Sequence, residues 1–152
     1  MNALDEARRL VAEDDRKDFD FASRGFIATR AEPVIKHESG ARAAFDLSAY
    51  NFLEGEAPES ANPSLWRQAQ ILTKHGLFKV ADRIYQVRGF DVSTVSFIDA
   101  GAGWIVVDPL TTVEVARAAL ELVSEHVAQK PVLAVIYSHS HVDHYGGVGG
   151  GT

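Results

Sequence analysis

In the second half of the chain the apolar residues fall into short runs whose period changes from two to between three and four and back. Leu77 to Val80, Ile84 to Val87 and Val92 to Ile98 are β-type runs separated by polar or glycine residues, and in the last of them Val95 and Phe97 alternate with polar neighbours. They predict an antiparallel meander. Ala100-Gly101-Ala102-Gly103 supplies turn chemistry, and the apolar run Trp104 to Val107 follows it and stops at Asp108-Pro109, so a hairpin is expected there. Val113, Ala116, Leu120, Val123 and Val127 recur at spacings of three and four. They predict a helix with that stripe buried, Glu114, Arg117, Glu121 and Glu125 outside, and His126 off the stripe on the surface. Val132-Leu133-Ala134-Val135-Ile136-Tyr137 is a continuous apolar run of the kind expected for a strand buried on both faces. Strand, helix and strand make a crossover unit with parallel strands, which brings Asp108 and His139 to one edge of the sheet.

The first half is patterned more weakly. Leu4, Ala7, Leu10 and Val11 have helical spacing among many charges, without the apolar core of a signal peptide or a run of membrane-spanning length, so a cytoplasmic location is the expectation. Residues 17–60 read as irregular structure with short strands; Phe19, Phe21, Phe26, Phe45, Tyr50 and Phe52 are too many aromatics for a linker and are expected to lie over a core. Asn62-Pro63 starts a helix and Gly76 is its expected stop, with Leu65, Ala69 and Leu72 as the buried stripe, Trp66 and Arg67 as packing and surface residues, and His75 as a cap or a solvated side chain. The pattern divides the α/β chain into an amino-terminal extension, residues 1–76, and a sheet-building half, residues 77–152.

Composition narrows the class without naming it. The 152 residues, 46% hydrophobic, suffice for one modest core. A net charge of −6 and a pI near 5.4 argue against nucleic acid or an anionic membrane as a partner. Without cysteine there is neither a disulfide framework nor a thiolate metal site.

The chemistry is concentrated in Ser138-His139-Ser140-His141-Val142-Asp143-His144-Tyr145-Gly146-Gly147, which holds three of the six histidines and an aspartate just past a strand's carboxyl end. In an extended segment His139 and His141 point the same way and form one half-site, while Asp143 and His144 lie where the chain must turn and are aimed at a second position. Imidazole and carboxylate without thiolate favour zinc, with manganese or iron as other occupants. Two such ions imply metal-assisted hydrolysis. The glycine-rich end, residues 146–152, reads as a flexible tail.

His-x-His-x-Asp-His followed by Gly-Gly resembles the signature of the metallo-β-lactamase superfamily. The stretches Arg24 to Ala28, Asn62 to Gln68, Ile84 to Gly89 and Gly103 to Leu110 resemble its alkyl sulfatase branch. The resemblance runs from about Asp14 to Val148, and the loop Gly89-Phe90-Asp91-Val92-Ser93-Thr94 departs from it in having Thr94 where asparagine is expected. It implies an αββα sandwich of which residues 77–152 are the first half. It also implies a binuclear zinc site, with His139 and His141 on one ion and Asp143 and His144 on the other, and Asp108 orienting the loop without ligating. The implied substrate is a linear alkyl sulfate such as dodecyl sulfate, cleaved to alcohol and sulfate; a homodimer is the expected state of a full-length protein. Four ligands do not complete two zinc spheres, so the chain reads as an amino-terminal fragment, inactive by itself. Another hydrolase of the superfamily, of thioesterase or lactonase type, and a non-catalytic remnant stay open as alternatives.

Overall fold

In the computed structural model, which describes residues 3–12 and 17–150, the chain runs α1 (Ala3–Ala12), α2 (Lys17–Ser23), β1 (Phe26–Ala28), β2 (Val34–Lys36), β3 (Ala43–Asp46), α3 (Pro63–Leu72), β4 (Gly76–Ala81), β5 (Ile84–Arg88), β6 (Val95–Asp99), β7 (Trp104–Val107), α4 (Val113–His126) and β8 (Val132–Ile136). Single 3₁₀ turns occupy Leu47–Tyr50, Val142–His144 and Val148–Gly150. The chain forms two compact units, residues 1–23 with 49–74 and residues 24–48 with 75–152.

The second unit is built on a six-stranded sheet in the order β1-β4-β5-β6-β7-β8. Its first five strands pair antiparallel, so the meander and the hairpin form where the alternation predicts them, and the Ala100 amide closes the β6–β7 turn on the Gly103 carbonyl at 2.9 Å. β7 and β8 pair parallel, with α4 as the crossover between them. One face of the sheet, carrying Leu77, Val87, Val95, Phe97, Trp104 and Val106, is buried against Val115, Ala118, Ala119, Leu122 and Val123 of α4. Trp104 is the centre of that layer, with Tyr85 and Phe97 edge-on to its ring at 5.9 and 6.1 Å.

Five details differ from the pattern. The buried arc of α4 is wider than the single stripe and is centred on Val115, Ala118, Ala119 and Leu122, with only Ala116 and Val123 shared. Glu114 is not outside, because it accepts the Glu38 amide at 3.1 Å. Residues 91–94 are loop, and β6 begins at Val95; Val92 is 84% exposed. β8 is an edge strand, not one buried on both faces: Val132 and Val135 pack on the core, while Leu133, Ala134 and Ile136 are open among the described residues. Finally, Gly76 does not stop a helix. It opens β4 at φ 131°, where a Cβ would run into the Ala28 carbonyl of the neighbouring strand.

In the first unit, Asn62 caps α3 as expected, its side chain accepting the Ser64 and Leu65 amides at 2.9 and 3.3 Å, and Pro63 takes the first helical position. The packed side of α3 is not the Leu65–Ala69–Leu72 stripe, since Leu65 and Leu72 are 71% and 67% exposed. Trp66 and Gln70 turn inward instead, donating to the Gly55 carbonyl at 3.2 and 2.9 Å, and Phe52 lies edge-on to Trp66. A large ring with a polar handle, satisfied by a nearby carbonyl, outcompetes two leucines for the inner position. Arg67 stacks over Phe19 and pairs with Asp18 at 3.1 Å. Among the described residues no helix is long and apolar enough to cross a membrane.

Candidate metal centre

The carboxyl ends of β7 and β8 deliver the site. β7 ends at Asp108, whose amide donates to the Ile136 carbonyl at the end of β8 (2.9 Å), so the two strand ends are tied before the chain enters either loop. Asp108 and Leu110 both adopt left-handed backbone, φ 56° and 65°, around Pro109. Such residues cost on the order of 1–3 kcal/mol each and persist where the surroundings fix them. Here complete burial of Leu110 and three bonds to the Asp108 carboxylate do so.

Those three bonds organise the histidine loop. Asp108 accepts from the Ser138 amide at 2.7 Å, from the Ser138 hydroxyl at 2.7 Å and from His144 Nδ1 at 2.9 Å. Burial pushes the Asp108 carboxyl up, and the Ser138 and His144 donors outweigh it, leaving the group below its ordinary value. His144 shifts the other way: its hydrogen bond to Asp108 raises it, burial opposes that, and the nearby Asp143 charge adds to the rise. Ser138 has one proton and gives it to Asp108, so toward His139 Nδ1, 2.9 Å away, its oxygen acts as acceptor. That fixes the tautomer with Nδ1 protonated and leaves the Nε2 lone pair of His139 for an ion. His144 is arranged alike, with Nδ1 on Asp108 and Nε2 turned to Asp143 Oδ2 at 3.2 Å.

The rings of His139 and His141 stand 4.6 Å apart and those of His139 and His144 4.0 Å apart, so the three imidazoles form one cluster with Asp143 against His144. The chemistry of these donors fits a divalent metal. Among the described residues, however, no group of three or more His, Cys, Asp or Glu side chains is arranged to hold an ion. His37, His75 and His126 stand elsewhere: His37 beside Ser39 and Glu114, His126 beside Glu125. His75 does not cap α3, whose C-cap is Thr73, and is half-buried; Thr29 Oγ1 lies 2.7 Å from its Nδ1, and burial lowers its pKa.

The glycine-rich end is part of the site's support. A Cβ on Gly146 would strike the Thr111 carbonyl, one on Gly147 the Pro109 carbonyl, and one on Gly150 the Val113 carbonyl, so residues 146–150 pack against the turn into α4 instead of forming a flexible tail. The Gly147 amide donates to the Leu110 carbonyl at 2.9 Å. Residues 151 and 152 lie outside the described ones. Three supporting residues escape a reading of the sequence: Ser138, Asp91, whose carboxylate accepts the Thr111 amide at 2.6 Å, and Ser93, whose hydroxyl donates to the Asp143 carbonyl. Ser138 adjoins the motif and was within reach; the other two lie some fifty positions upstream of the loop and carry no local signal.

A parallel strand pair closing on a His-x-His-x-Asp-His loop has a counterpart among known proteins. Residues 88–151 match the family model described as the Metallo-beta-lactamase superfamily, and the fold is mixed α/β. Over nine-tenths of its length the chain is homologous to alkylsulfatases. It is 51% identical over 139 residues to the linear primary-alkylsulfatase of Pseudomonas sp, covering 90% of this chain and 20% of that protein. To the alkyl/aryl-sulfatase BDS1 of Saccharomyces cerevisiae it is 47% identical over 138 residues, 90% of this chain and 21% of the relative. The solved structure of the stereoselective inverting sec-alkylsulfatase Pisa1 from Pseudomonas sp superposes with a TM-score of 0.88 at 42% identity, covering 98% of this chain and 24% of that one. The chain thus spans about a fifth of the length of the curated relatives it matches.

Proposed function

We propose that this chain is the metal-binding, amino-terminal part of a sulfuric ester hydrolase acting on linear alkyl sulfates, dodecyl sulfate among them. The observation that carries the reading is the similarity to alkylsulfatases over 90% of the chain, far more than the histidine loop alone. A thioesterase or lactonase would share the loop, but nothing ties the upstream half to one. In this reading His139 and His141 hold one zinc ion, and Asp143 and His144 share in holding a second. Bound there, the ions would supply a hydroxide at neutral pH and polarise the sulfate ester.

The chain's own residues do the positioning. Asp108 holds the Nδ1 proton of His144, and Ser138 that of His139, which leaves Nε2 of His139 for an ion and turns Nε2 of His144 toward Asp143. Arg88 and Lys130 are engaged elsewhere: Arg88 bonds Gln86 at 3.1 Å and lies over the Phe78 ring, and Lys130 pairs with Asp99 at 2.6 Å. The finer reading includes two zinc ions per complete site, further ligands and sulfate-binding groups outside these residues, and a homodimeric full-length protein.

Sulfate release from dodecyl sulfate by a full-length protein containing this segment is the test. We expect zinc-dependent release that His139→Ala lowers by at least the roughly 10²-fold lost with a single catalytic donor. Full activity in the His139→Ala variant, or none in the zinc-loaded wild type, would reject the proposal.

A further inference from the structure

The loop between β5 and β6 touches the metal loop at one point, and that contact has a physical consequence. Ser93 is 9% exposed, one of the few buried polar residues, and its hydroxyl donates to the backbone carbonyl of Asp143. Asp91, two positions earlier, is fixed by accepting its neighbour Val92's amide at 2.7 Å and the Thr111 amide at 2.6 Å. The loop is therefore anchored to the turn that leads into α4 before Ser93 reaches the histidine loop. Gly146 packs against the carbonyl of the same Thr111, so the three loops brace one another.

The Asp143 carbonyl ends the peptide unit whose other half is the His144 nitrogen. Holding that carbonyl fixes the plane of the Asp143–His144 peptide and hence the directions in which both side chains leave the backbone. The 3₁₀ turn Val142–His144 does not hold it, for the His144 amide bonds His141 and the Tyr145 and Gly146 amides bond Val142, and among the described residues no loop or turn amide is bonded to the Asp143 carbonyl. We propose that Ser93 is a positioning residue for the metal loop, its hydroxyl setting the orientation of Asp143 and His144 through the Asp143 carbonyl. The inference rests on the metal reading of that loop only for its functional consequence; the positioning itself is a property of the metal-free chain.

The experiment measures both. Backbone hydrogen exchange of the metal-free chain is compared between wild type and Ser93→Ala, together with cobalt(II) binding followed by its visible absorption. We expect amides of residues 138–147 to exchange about tenfold faster in Ser93→Ala, the worth of one lost hydrogen bond, with β5, β6 and β7 unchanged. Cobalt affinity should fall about tenfold, as for loss of an outer partner of a ligand, and Ser93→Thr, which keeps the hydroxyl, should restore both. Unchanged exchange in the loop, or a rise shared equally by the sheet strands, overturns the proposal. Should Ser93→Ala not fold, Ser93→Cys, close in volume but a weak donor, decides by the same comparison. If His139→Ala leaves cobalt binding intact, the metal reading fails separately, and the exchange result still judges Ser93.

Discussion

Asp108 carries three interactions on a left-handed backbone, and its neighbours can be ranked by which of the two a substitution disturbs. Asn tolerates φ 56° and keeps one acceptor for the Ser138 amide, whereas Ala loses every bond and also resists the backbone angle. Gly accepts the angle and loses the bonds. Stability should therefore fall in the order Asn, Gly, Ala, with Ala lower than wild type by roughly 2–4 kcal/mol, the sum of the lost bonds to Ser138 and His144 and the left-handed cost. Denaturant midpoints of the metal-free variants check it; equal losses for Gly and Ala would show that the backbone angle carries no weight. His75 offers a second test at this scale. Burial holds its folded-state pKa below the ordinary value, so an unfolded chain takes up a proton at about pH 6.5 that the folded ring refuses. Its contribution to stability is present above that pH and is lost as pH falls through the lowered folded value. His144 is raised by Asp108 and works in the opposite sense, which makes the comparison of wild type with His75→Gln the informative one. We expect the variant to lose less stability than wild type between pH 7.5 and 5.

At the scale of elements, β8 shows what period alone does not carry. A run of six apolar residues, Val132 to Tyr137, reads as a doubly buried strand, and its core-facing members Val132 and Val135 behave so. Its other face is open because exposure depends on what lies beyond the sheet, which no local pattern records. Elements with a strong local signal are legible: α3 from cap and proline, β6 and β7 from alternation and the glycine turn, α4 from its spacing. The inner face of α3 was misread because Trp66 and Gln70 find their carbonyl partners in the segment 53–55, a tertiary fact. Residues 92–94 read as strand because Val92 is β-branched, but they are loop and Val92 is almost wholly exposed. An exposed edge strand with Leu133 and Ile136 in water is a site for pairing between copies. The isolated chain should scatter light increasingly with concentration, and Ile136→Lys should suppress this without shifting the thermal midpoint by more than a degree or two. Scattering equal in both would place the association elsewhere.

For the whole molecule, spacing picks out the four residues proposed as ligands, while the means of holding them has no local signal. Asp108 and Ser138 lie past the ends of two parallel strands, and Ser93, beside the Asp91 that holds the Thr111 amide, reaches the loop from fifty positions away. The fold joins what the sequence separates: a crossover brings two strand ends to one edge, a second loop braces them, and three glycines let the chain close over the turn into α4. The central claim is that this framework presents imidazoles to a metal ion. Titration calorimetry with zinc on the purified chain, beside His139→Ala and His141→Ala, tests it most directly. The account predicts saturable but weak binding with about one ion's worth of ligands, His139 and His141 forming a half-site without a carboxylate partner, and its loss on either substitution while the folded spectrum is kept. No saturable uptake by wild type, or uptake unchanged in both variants, would contradict it.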